Sequence, residues 1–126
     1  VLNEPINSYR DLRVWQGAMA LAEACYLLTR GFSKDEMFGM TSQIRRTAAS
    51  VPANIAEGHG RELTPSFIQF FRVAQGSLKE VETHLLLSQR IGLATAEEVR
   101  SPMEQCEAVG KMLRALIRSL QQKAAD

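Results

Sequence analysis

QIRRTAASVPANIAEGHGR, residues 43–61, is the stretch whose reading decides the fold. Ile44, Ala48, Val51 and Ile55 recur at alternating gaps of four and three, so they form one apolar stripe along a helix. A second row beside it, Gln43, Arg46, Ser50, Asn54 and Glu57, is polar throughout. Pro52 lies inside this helix. An interior proline removes a backbone donor and crowds the carbonyl four residues back, at a cost of about 3 kcal/mol. A bend is therefore expected over residues 48–53, with the freed Ala48 carbonyl met by a side chain or water. Gly58 and Gly60 read as the residues that end the helix.

Working outward, Ser33 and Glu36 in SKDE have the spacing of a capping box, which starts this second helix near Lys34. Upstream, Ser8 and Asp11 cap a first helix from Tyr9 to about Arg30, with Gly31 as a left-handed C-terminal residue. That helix carries two adjoining apolar seams: Leu12, Trp15, Met19, Ala22 and Tyr26, then Val14, Ala18, Leu21, Cys25 and Leu28. So wide an apolar face needs cover on two sides, one from its own bundle and one from a second subunit. Downstream, Thr64-Pro65 opens a third helix in which Phe67, Phe71, Ala74, Leu78, Val81 and Leu85 keep the spacing of a packed seam, and Gly92 closes it. The fourth helix has two candidate starts, Thr95 with Glu98 and Ser101-Pro102 with Glu104, which a short turn followed by a break or bend at Pro102 would reconcile.

The expected helices span about 9–30, 34–59, 65–91 and 96–121, with residues 1–7 and 122–126 loosely ordered. Four long helices on short loops predict an all-α, up-down-up-down antiparallel four-helix bundle in a single domain, 1–126. Small residues should meet where helices two and three cross: Ala48, Ala49 and Ala53 opposite Ala74, Gly76 and Ser77.

The 126 residues are enough to bury one core, and 45% hydrophobic with 23% charged residues is ordinary for a globular protein. No apolar run reaches the ~18 residues a membrane span requires, and no signal peptide opens the chain, so no membrane association is expected. Two cysteines on apolar faces suit a reducing, cytoplasmic setting, where Cys25 and Cys106 would share a level across helices one and four.

Candidate chemistry is sparse. His84 follows Glu80 by four residues and His59 sits beside glycine, so neither completes the Glu-x-x-His pattern of a di-iron bundle. No histidine lies within helical reach of either cysteine, and the glycines of EGHG follow no strand, unlike a phosphate loop. No metal, cofactor or enzymatic activity is expected. The polar row is read as a structural network of Gln43, Arg46, Asn54, Glu57 and Glu80. Within it, Arg46 bridges to Glu80, and Glu57 lies near Tyr9, Arg10 and Arg13.

The net charge of +1 gives no global attraction for nucleic acid, but the charges are unevenly placed. One bundle end collects Arg10, Arg13, Arg61, Arg72, Lys111, Arg114, Arg118 and Lys123 against five acids, or +3, which leaves the other end at −2. Acids early in a helix and bases late in it complement the helix dipole, which is a sufficient structural account. In a parallel ring of subunits the same ends would also add into one basic face, with Arg10, Arg13, Arg61, Arg72, Lys111, Arg114 and Arg118 as its candidate nucleic-acid contacts.

The runs WQGAMALA, QIRRTAASVPANIAEGHGR and FFRVAQGSLKE resemble the four-helix-bundle family of bacterial large-subunit rRNA intervening-sequence proteins, which includes the accessory proteins of diversity-generating retroelements. The resemblance covers roughly Tyr9 to Leu120. It implies a homopentamer, a barrel of five protomers. The accessory members it points to are strongly basic and bind nucleic acid and a reverse transcriptase. This chain departs in having Ser33 where the family often has proline, and in its near-neutral charge. Two readings follow: a non-enzymatic homo-oligomeric scaffold that binds RNA, DNA or a nucleic-acid enzyme, or an assembly module for protein partners with no nucleic-acid role.

Overall fold

The computed structural model describes residues 7–61 and 64–125. Within them lie four α-helices and no strand: α1 (Arg13–Thr29), α2 (Met40–His59), α3 (Thr64–Arg90) and α4 (Ala96–Ala125). Each helix packs against its neighbour in sequence and α1 closes on α4, while the diagonal pairs stay apart. Ser50 meets Ser77 and Gly58 meets Phe70, so α2 and α3 run antiparallel. Gly17 against Val109 and Met112 sets α1 beside α4.

The stripe of α2 is the middle of the core: Ile44, Ala48, Val51 and Ile55 are all fully buried. They pack with Val14, Ala18, Leu21 and Cys25 of α1, Phe71, Ala74, Leu78, Val81 and Leu85 of α3, and Cys106, Val109 and Leu113 of α4. Every one of these positions follows the four-three spacing, because a helix presents one face to its neighbours.

The helix starts differ from expectation. The Ser8–Asp11 capping box forms, but it caps only a 3-10 turn, Tyr9–Asp11. Leu12 then turns extended, which places its side chain at the core edge, and α1 begins at Arg13. Likewise Ser33 caps a 3-10 turn, Lys34–Glu36, and α2 starts only at Met40. The reason lies in Glu36. Its carboxylate does not reach back to Ser33 but accepts from the Met40 N–H at 3.0 Å, capping α2 itself.

Gly31 does not adopt the left-handed conformation; among the glycines only Gly92 has positive φ, at 83°, where α3 ends. Helix α2 continues unbroken through Pro52, and the Asn54 amide donates to the Ser50 carbonyl rather than to that of Ala48. Helix α4 likewise continues through Pro102. Its start is the Thr95–Glu98 box, closed by bonds of 2.8 and 3.1 Å, and it runs on to Ala125 instead of ending near residue 121.

The α2–α3 crossing uses a different set of small residues. Ala48, Ala74 and Ser77 are buried there, but Ala49, Ala53 and Gly76 are exposed. The two helices also approach tightly at Gly58, where an added β-carbon would stand 2.9 Å from Phe70 Cβ and 3.2 Å from the Phe67 carbonyl oxygen. Gly58 is therefore a packing residue within α2, and Gly60 is the C-cap.

Candidate functional site

The polar row of α2 is only partly a network. Ser50 shares a hydrogen bond of 2.8 Å with Ser77 of α3, and Asn54 donates to the Ser50 hydroxyl at 3.0 Å. Gln43, Arg46, Glu57 and Glu80 are exposed. No Arg46–Glu80 ion pair forms; the ion pairs among the described residues join Glu57 to Arg61, Lys79 to Glu82, Glu97 to Arg100 and Glu107 to Lys111. Glu57 thus takes its partner from its own helix, at 2.8 Å, and not from helix one. With both side chains in water, a bridge between Arg46 and Glu80 would gain little to offset the ordering of two long side chains.

The arginine that does join two helices is Arg45. Its Nε donates to the buried Thr29 hydroxyl at 2.9 Å, and its guanidinium lies 4.8 Å from the centre of the Tyr26 ring. The Thr29 hydroxyl in turn donates to the Cys25 carbonyl at 2.9 Å, so the end of α1 is tied to α2. Arg45→Ala should therefore cost about 1–2 kcal/mol in a urea unfolding series. Arg46→Ala should stay within about 0.5 kcal/mol and add independently to Glu80→Ala. Equal effects of the two arginines would refute this assignment.

Beside Arg45 opens an apolar groove of about 660 Å³ between α1 and α2. Trp15, Met19, Tyr26 and Leu27 of α1 form one wall, and Ala49, Pro52, Ala53 and Ala56 of α2 form the other. Tyr9 closes one end, packed edge-on against Trp15 with ring centres 5.3 Å apart. Met19 and Tyr26 of the first seam of helix one are left 38% and 41% exposed by their own bundle, and Leu27, outside both seams, is 60% exposed. A second exposed apolar row lies at the end of α3, where Leu86 and Leu87 stand beside Ile91 just past the helix, while Val73 lies about 21 Å away beyond the exposed Glu80, and Phe38 stands 96% exposed before α2.

All seven candidate nucleic-acid contacts are exposed, in groups set by their helices. Arg10 and Arg13 lie at the entry to α1, Arg72 on α3, and Lys111, Arg114 and Arg118 on α4. Arg61 is engaged twice, by Glu57 and by the Phe70 ring 4.9 Å away, and Lys111 faces Glu107 at 3.8 Å. Arg10, Arg13, Arg72, Arg114 and Arg118 have no acidic partner among the described residues. Of the acids counted against this end, Glu4, Glu62 and Asp126 lie outside the described residues.

Cys25 and Cys106 are buried and unbridged. Burial pushes the Cys25 thiol up to about 12. Burial does the same to Cys106, with a smaller contribution from the neighbouring Cys25. Both stay protonated near neutrality and are poor nucleophiles. Above pH ~9 the unfolded chain ionises its thiols while the folded chain does not, so stability falls as pH rises, by about 1.4 kcal/mol per thiol per pH unit until the folded groups titrate. Replacing both cysteines with alanine should flatten the decline between pH 9.5 and 10.5 by roughly 2–3 kcal/mol per pH unit in urea melts. Parallel pH profiles would exclude buried thiols. Among the described residues, no three His, Cys, Asp or Glu side chains gather as metal ligands, and no helix is long and apolar enough to cross a membrane.

Comparison with known proteins places this geometry. Residues 10–115 match the family model of the 23S rRNA-intervening sequence protein. Among solved structures, the fold matches a protein of unknown function from the S23 ribosomal protein family of Bacteroides thetaiotaomicron, with a TM-score of 0.74 and 25% identity, covering 82% of this chain and 97% of that one. No curated protein matches.

Proposed function

Because the chain belongs to the 23S rRNA-intervening sequence protein family, we propose that it is a non-enzymatic, homo-oligomeric helical scaffold, assembled as a ring of five. The observation that carries this reading is the open α1–α2 groove, with Met19, Tyr26 and Leu27 left in water. Contiguous apolar surface of this kind marks an interface. The row of Leu86, Leu87 and Ile91 at the end of α3 is a second and different apolar surface. Pairing two unlike surfaces is heterologous, and closes into a ring when the rotation between subunits permits. The number five follows from the family resemblance, and the setting is cytoplasmic. Light scattering at micromolar concentration tests the assembly; a mass of one chain, 14.0 kDa, would end it.

In such a ring the basic bundle ends point the same way, and Arg10, Arg13, Arg72, Arg114 and Arg118, without acidic partners among the described residues, add into a face for RNA, DNA or a nucleic-acid enzyme. Binding should weaken steeply with salt as counterions are released. The competing reading is an assembly module for protein partners, favoured by Phe38 and the α3 row. A titration with RNA across salt concentrations separates the two, since a protein-only module binds no RNA even at low salt.

A further inference from the structure

The groove on the far side of the bundle, between α3 and α4, has a different chemistry. It encloses about 670 Å³, within the size range of small-molecule sites. Two glycines help to keep it open. A β-carbon on Gly76 would meet nothing within 4 Å, and one on Gly110 would meet only Arg114 Nη1 at 3.5 Å and Leu78 Cδ1 at 3.9 Å. Leu78 and Cys106, both buried, supply apolar surface to its lining.

The charges are what single it out. Two carboxylates line the groove, and each already has a lysine: Glu82 with Lys79 at 3.1 Å, and Glu107 with Lys111 at 3.8 Å. Arg72 on α3 and Arg114 on α4 line it too, and neither has an acidic partner among the described residues. Two uncompensated guanidinium forks thus flank a groove with apolar surface inside it. Guanidinium donors match the oxygens of a phosphate two at a time. A lone carboxylate has only two oxygens and one charge, so a phosphate satisfies this pair better.

We propose that the α3–α4 groove binds a phosphate group borne on a body of nucleotide size, with Arg72 and Arg114 holding the phosphate and the space between Gly76 and Gly110 taking the base. The phosphate comes either from a nucleic-acid strand or from a free nucleotide. In its first form the inference rests on the nucleic-acid reading above and gives it a location; in its second form it stands without it.

The test uses the full-length protein at about 25 mM salt, where phosphate contacts are least screened. Binding of a fluorescently labelled single-stranded RNA and of AMP is measured for the unaltered chain, the Arg72→Gln/Arg114→Gln double variant and Gly110→Leu. Gly110→Leu fills the groove from a position with room for its β-carbon, and thermal melts confirm that each variant folds. Both variants should bind about tenfold more weakly or worse, the arginine double variant through the loss of charge-assisted hydrogen bonds and Gly110→Leu by excluding the ligand from the groove. RNA binding that AMP displaces supports the groove with either source, and RNA binding that AMP leaves untouched assigns it to the strand. AMP binding alone supports the groove while ending the nucleic-acid face. RNA binding unchanged in both variants overturns the groove and leaves that face standing. No binding of either probe overturns the inference.

Discussion

Gly58→Val is expected to lower the unfolding free energy by about 2–3 kcal/mol, the cost of forcing extra carbon into a close-packed contact. The first added atom would already lie 2.9 Å from Phe70 Cβ, 3.2 Å from a backbone oxygen of α3 and 3.3 Å from Phe71 Cδ1. None of these is the free end of a flexible side chain, so α2 and α3 must separate. Phe71, fully buried in the core, would shift with them. Two other glycines serve as internal controls. Gly60 has φ near −74° and ordinary clearance, so Gly60→Ala should be nearly neutral. Gly76 lies inside α3 facing open space, and Gly76→Ala should stabilise by up to about 1 kcal/mol through helix propensity. Equal effects at Gly58 and Gly76 in urea titrations would show that the α2–α3 contact is looser than described.

That ordering of the glycines could not be read from the chain. Near a helix end, a glycine that admits a neighbouring helix and one that merely stops the helix look alike in sequence. The distinction depends on Phe67, Phe70 and Phe71, which come from the next helix. The core was readable because its signal is local and repeated: Ile44, Ala48, Val51 and Ile55 can share a face only in a helix, and burial follows from that face. Helix starts were read less well. Both Ser8 and Ser33 open sequences of capping-box form, yet a short 3-10 turn satisfies the same spacing. Only in the fold does Glu36 spend its carboxylate on Met40 instead.

The site was readable to the extent that it depends on helical periodicity. Helix one was expected to carry more apolar face than one bundle covers, and in the structure Trp15, Met19, Ala22 and Tyr26 of its first seam line the open groove. The expected Arg46–Glu80 bridge from helix two to helix three does not form; the arginine that joins helices is its neighbour, and it joins α2 to α1. Adjacent helix positions are turned by about 100°, so Arg46 faces water while Arg45 reaches Thr29 and Tyr26. Sequence offers two arginines side by side, and the choice between them depends on the rotation of α2 against α1. The α3–α4 groove was likewise not found, because neither Gly76 nor Gly110 carries a signal until the two helices stand opposite each other.

Met19→Glu combined with Leu27→Glu is expected to convert the assembly to monomers. The two side chains are 38% and 60% exposed in the single chain, so replacing them should cost the isolated bundle little. In an assembly that covers the groove, the two glutamates would instead be stripped of water beside Glu23, with Arg30 the one cation in the lining to meet them, so at least one is left unpaired. Burying an unpaired charge costs several kcal/mol. At about 1.4 kcal/mol per tenfold, one such charge should raise the dissociation constant by roughly two to three orders of magnitude. The chain contains one tryptophan, Trp15, and it lines this groove, so the same event has an optical signal. Dilution of the unaltered protein should move Trp15 emission to the red as the groove is wetted, and the double variant should emit there at every concentration. Sedimentation velocity gives the mass beside it. Unaltered sedimentation of the double variant, with unchanged Trp15 emission, would place the subunit contacts on another face, and the row of Leu86, Leu87 and Ile91 at the end of α3 would then be the surface to charge next.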